Sequence, residues 1–173
     1  MMRRWLFPLL LGAVLAVIAY QAALIAAPRV LMNAALKRVE RLGGVNAFRH
    51  PPMASAEART IVRPSPDLAY SSCVFDLGEG PVLIEVAPVP APYWSLSIFD
   101  ARTDVALVRN NRDSAGAPIR VVLALAGQEA PAGTETVRVD GARGIALIRV
   151  LVESRDRFPE IDRARRASRC GRL

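Results

Sequence analysis

Residues 93–100 read Tyr-Trp-Ser-Leu-Ser-Ile-Phe-Asp, and residues 144–152 read Gly-Ile-Ala-Leu-Ile-Arg-Val-Leu-Val. In the first, Trp94, Leu96 and Ile98 fall on one face of an extended chain and Tyr93, Ser95 and Ser97 on the other, which predicts a strand with one face in a core. The second is apolar on both faces apart from Arg149, which predicts a central strand. Outward from these, the chain from Arg59 onward is cut by Pro, Gly, Asp and Asn into short apolar runs. Candidate strands are Arg59–Arg63, Leu68–Asp76, Pro81–Val86, Tyr93–Asp100, Val105–Arg109, Ile119–Leu125, Thr134–Val139 and Gly144–Glu153. Leu68–Asp76 carries Ala69, Ser71, Cys73 and Phe75 on one face and Tyr70, Ser72 and Val74 on the other, so cover on both sides is expected. No helical period separates the candidates. That disfavours βαβ units and predicts a mainly β domain, an antiparallel sandwich of jelly-roll type or a barrel. Pro159 opens a short basic helix after it, expected to run to about Arg169 on the surface.

The N-terminal part has a different grammar. Leu6 to Ala27 is a run of 22 residues without a charge, and at 1.5 Å per residue it reaches ~33 Å, enough to cross a ~30 Å hydrocarbon core. Arg3 and Arg4 precede it as they would in a secretory signal, but the run exceeds the ~7–15 residues of a signal's apolar stretch, which favours an uncleaved anchor. Pro28 is expected to break or bend the helix. Val30–Leu42 then spaces Met32, Ala35, Leu36, Val39 and Leu42 as one helical face beside Lys37, Arg38 and Arg41, and Gly43-Gly44 stops it. Residues 46–58 lack any period and read as a linker, with the only histidine, His50, as a solvated loop residue. The expected organisation is an anchor (1–28), a juxtamembrane helix and linker (29–58), a β domain (59–154) and a basic helical tail (155–173).

Of 173 residues 52% are hydrophobic, 23% charged and 6% aromatic, with two cysteines and a net charge of +7. This excludes a multidomain enzyme, a zinc-finger array, a disulfide-dense miniprotein and a disordered acidic chain. The positive charge belongs to the ends. Residues 1–50 carry 7 basic and 1 acidic side chains, 51–154 carry 9 and 12, and 155–173 carry 7 and 3. A nucleic-acid partner is therefore not expected, because the folded part has no cationic face. The lipid bilayer is, since lysine and arginine beside a span are drawn to anionic headgroups at about 1 kcal/mol each. The short head with two arginines is hard to translocate, which favours head inside and domain outside.

No catalytic constellation is present. The chain lacks HExxH, Gly-x-Ser-x-Gly, a P-loop and a dinucleotide fingerprint, and one histidine leaves no His-based triad and few zinc options. Asp67, Asp76, Asp100 and Asp104 sit at strand ends, where turn capping accounts for them. No catalytic residue, cofactor or metal site is predicted. Cys73 and Cys170 stand 97 positions apart, and two readings stay open: a bridge pinning the basic tail to the sheet in an oxidising compartment, or a small buried thiol and a frayed end.

The residues Tyr70-Ser71, Asp76-Leu77, Gly80-Pro81-Val82, Tyr93-Trp94-Ser95-Leu96 and Asp100 stand in an order and spacing that resemble a bacterial family known as domain of unknown function 1254. The likeness runs from about Arg59 to Val152. Ser65-Pro66-Asp67-Leu68-Ala69 departs from the family's Asn-x-Asp-Thr, and Pro92 replaces an arginine. The resemblance implies a β fold and no established reaction. Longer members carry a second β domain, which implies that a short anchored chain is completed by a separate one.

These observations lead to two functional expectations. The first is a single-pass protein of the bacterial inner membrane, its domain periplasmic, acting without catalysis as the partner of a companion membrane-anchored β-domain protein. The second is a hydrophobic-ligand-binding or weakly enzymatic β-barrel with a pocket lined by Tyr70, Tyr93 and Trp94.

Overall fold

The computed structural model describes residues 3–55 and 64–173; the expected strand Arg59–Arg63 lies outside them. A single helix, α1 (Arg3–Gly43), is followed by β1 (Leu68–Asp76), β2 (Val82–Val86), β3 (Trp94–Phe99), β4 (Val105–Asn110), β5 (Ile119–Ala124), β6 (Glu135–Arg138), β7 (Arg143–Leu151), α2 (Phe158–Arg165) and β8 (Arg169–Arg172). The strands form two four-stranded sheets, in the orders β1-β7-β3-β4 and β6-β5-β2-β8. Every pairing is antiparallel except β5 with β6. The mainly β sandwich behind an N-terminal helix is the architecture the patterning predicts.

Alternation locates the core. Trp94, Leu96 and Ile98 of β3 and Ile148 and Val150 of β7 face Val82, Ile84 and Val86 of β2 and Val121 and Leu123 of β5, all buried in one apolar cluster. Each such side chain contributes about 1.5–3 kcal/mol of burial. The strand β7 lies between β1 and β3, the central position its two apolar faces require. Gly144 is needed there: a Cβ would stand 2.3 Å from the Phe99 carbonyl oxygen and 2.4 Å from the Phe75 ring.

The second face of β1 is covered where Val74 is buried by Met32 and Leu36 of α1, with Val39, Phe99 and Ile145 around them. The helix therefore does not stop or restart at Pro28. It runs 41 residues, about 60 Å, from the uncharged stretch straight onto the sheet. The proline removes one backbone donor, and in the same turn the Arg29 guanidinium donates to the Ile25 carbonyl at 3.1 Å. Docking of the following turns on the sheet outweighs the local preference to break. The helix ends as expected, with Gly44 at φ +81° and its N–H on the Glu40 carbonyl.

Two further segments differ from expectation. Residues 45–49, of which 46–49 read as linker, run along the edge of β1, with Val45 opposite Val74 and Arg49 opposite Ser72. An edge strand offers unpaired donors and acceptors, and this segment takes them although its own sequence has no strand pattern. The tail helix ends at Arg165 rather than near Arg169, buries Ile161 and Arg165, and gives way to β8 against β2.

Candidate functional site

The densest polar arrangement lies where β1, residues 49–51 and α2 meet. Arg165, at the last turn of α2, is fully buried. Its planar fork uses all five N–H donors: Nε and Nη2 to Asp162 Oδ1, Nη2 also to the Pro51 carbonyl, and Nη1 to the Tyr70 carbonyl and the Ser71 hydroxyl. Three segments remote in sequence are thereby held by one cation. Phe158 lies under the guanidinium at 5.6 Å. Asp162 also accepts from Arg166 Nε at 2.7 Å. Burial would raise the Asp162 pKa, but the hydrogen bonds from Arg166 and Arg165 outweigh it and hold the carboxyl below its usual range. Burial lowers the Arg165 pKa, with Asp162 opposing.

Ser71 is fully buried too, and its oxygen lies 2.8 Å from His50 Nδ1. His50 is thus half-buried and hydrogen-bonded, not the solvated loop residue expected. Burial, and then the charges of Arg165 and Arg166, lower its pKa to about 4 against a weaker pull from Asp162. The serine and histidine form a latch rather than a nucleophile and its base: the hydroxyl has no exposed surface for a substrate to approach, and a base lowered to about 4 is weak.

Beside this latch, Cys73 of β1 and Cys170 of β8 are joined by a disulfide, their Cα atoms 6.5 Å apart. It links the adjacent edges of the two sheets. Outside it runs an open groove of about 510 Å3, lined by Phe48 and His50 on one wall and by Arg166, Arg169, Cys170 and Arg172 on the other. Arg166 is paired with Asp162 and Arg172 with Glu79. Arg169 has no carboxylate partner among the described residues.

The aromatic trio expected to line a pocket does not converge. Trp94 points into the core, while Tyr70 lies on the other face of β1, its hydroxyl accepting from the Ser65 N–H at 3.0 Å. Tyr93 is partly exposed at the start of β3, and β7 separates the two strands. The strand-end aspartates cap turns: Asp100 Oδ1 accepts from the N–H groups of Arg102 and Asp104, and Asp76 Oδ1 from that of Gly78. Among the described residues no three His, Cys, Asp or Glu side chains form a metal-binding group. Sequence reasoning missed Arg165, one of seven basic residues in a tail that read as surface. The only signal was Ile161 four residues before it, which marks that helical face as buried.

Comparison with known proteins bears on the fold. No curated protein matches the chain. The crystal structure of the VPA0106 protein from Vibrio parahaemolyticus superposes with a TM-score of 0.68 at 16% identity, covering 86% of this chain and 37% of that one. An uncharacterized protein from Burkholderia cenocepacia gives 0.44 at 13% identity, covering 62% of this chain and 31% of that one. The chain thus spans little over a third of the Vibrio structure. A family model described as protein of unknown function (DUF1254) matches residues 45–172, from the end of α1 to the end of β8. This match over most of the chain makes it a member of the DUF1254 family.

Proposed function

We propose that this chain is a non-enzymatic, single-pass protein of the bacterial inner membrane whose β domain stands outside the cytoplasm and pairs with a companion chain. The observation that carries the anchoring is α1, one helix long and apolar enough to cross a membrane, with none of its most apolar stretch buried against the domain. In water such a surface would aggregate; in lipid it is at home. The disulfide supports an oxidising compartment for the domain, since the cytosol keeps such pairs reduced. The companion is supported by the open groove beside the disulfide, where Arg169 has no carboxylate partner among the described residues. The groove with Arg166, Arg169 and Arg172 is the surface offered to that companion. The latch supports a structural rather than catalytic use of Ser71 and His50.

A C-terminal fusion tests the topology: a reporter enzyme active only outside the cytoplasm should work, and a fluorophore that matures only inside should stay dark. The reverse result overturns the assigned side. Gentle solubilisation at native expression level should recover a small anchored β chain with this one. Recovery as a lone monomer overturns the pairing.

A further inference from the structure

A second cleft, of about 380 Å3, opens between α1 and the β3–β4 turn, lined by Leu24, Ile25, Pro28 and Arg29 on the helix and by Arg102 and Asp104 on the turn. Its depth follows from the sequence. The uncharged run ends at Ala27, so Leu24 and Ile25 lie within the last turn of the span and Arg29 just past it. The turn reaches back beside them, which puts Arg102 and Asp104 at headgroup level. The next residue, Val105, is 57% exposed and offers apolar surface at that level.

The charges are not those of a general anion site. Arg102 is held by Asp104 at 3.4 Å and by Asp140, whereas Arg29 touches only the Ile25 carbonyl and has no carboxylate partner among the described residues. One wall therefore offers a free cation beside the exposed apolar side chains of Leu24 and Ile25, the other a carboxylate only partly neutralised. That pattern complements a zwitterion with an acyl chain attached. Resting on the membrane-anchored reading above, we propose that this cleft is a binding site for a phospholipid with a primary ammonium head, phosphate on Arg29, ammonium on Asp104 and acyl chain along Leu24 and Ile25. A quaternary ammonium has no N–H to donate to Asp104, and a glycerol head has no cation, so the site separates phosphatidylethanolamine from phosphatidylcholine and phosphatidylglycerol.

The test uses the full chain, first extracted with carbonate to establish that it stays in the membrane, then purified in detergent and offered the three lipids in equal amounts. Lipid retention is read by native mass spectrometry. Phosphatidylethanolamine should be retained about fivefold over either competitor, the size of one partly exposed charge contact. Asp104→Asn should abolish its advantage over phosphatidylcholine, and Arg29→Gln should lower retention of both. Soluble phosphoethanolamine should not displace the lipid; displacement would overturn the acyl contact with α1. Equal retention of the three lipids by an integral chain overturns the site alone, whereas a chain found in the carbonate wash overturns the anchor and the site with it.

Discussion

The two seams of the sandwich are closed by different means. Where β1 meets β8, a disulfide, a buried guanidinium and the pairing of residues 45–49 along the strand edge act together. Where β4 meets β6, the polar tie is one exposed ion pair, Arg109 with Glu135 at 2.7 Å, and Val105 and Val108 of β4 remain exposed. The first seam is the one to which α1 delivers the chain. Its closure teaches that α1 is joined to the domain by construction: the helix packs on Val74, residues 45–49 are stitched to β1, and Arg165 clamps Pro51 just beyond them.

The largest way to break this contrast is Arg165→Ala. It strips Asp162 and the carbonyls of Tyr70 and Pro51 of their buried donor, and should lower unfolding stability by about 3–5 kcal/mol in urea titration of the detergent-solubilised chain. A loss under 1 kcal/mol would make the two seams equivalent. Next comes Cys73→Ser, expected to cost about 2–4 kcal/mol through release of the unfolded chain, with no free thiol titrating in the unreduced parent.

The third sharpens the role of the latch. With its folded pKa lowered to about 4 from 6.5, His50 binds its proton less readily folded than unfolded. Its contribution to stability is complete above about pH 6.5 and is lost as pH falls toward 4. His50→Phe should flatten the stability profile in that window; an unchanged slope would show that another group titrates there. The smallest effect belongs to the opposite seam, where Arg109→Ala should cost about 0.2–1 kcal/mol by the same urea titration. An effect comparable to Arg165→Ala would erase the distinction.

How far these features were legible depends on whether local pattern or distant pairing creates them. Strands β1 to β7 each carry an alternation or a continuous apolar run, and all seven lie within the stretches that the sequence marks, give or take a residue. The strand β8, Arg-Cys-Gly-Arg, has neither, and forms because β2 presents a matching edge. His50 and residues 45–49 lie in a stretch rich in proline and without period, so nothing local announces that they line β1. The buried state of Arg165 was hidden for a related reason: an arginine-rich tail reads as solvated unless its acceptors are known, and these come from residues 51, 70, 71 and 162.

The amino-acid sequence by itself determined the uncharged helix, the mainly β class, the core face of β3, the central place of β7 and the family, because each rests on a period or spacing written along the chain. Only the tertiary structure decided that the helix continues through Pro28, that the two cysteines meet and that a buried arginine clamps the N-terminal segment. Those outcomes depend on which edges, donors and acceptors the fold brings within a few ångströms, and separation along the chain carries no record of that.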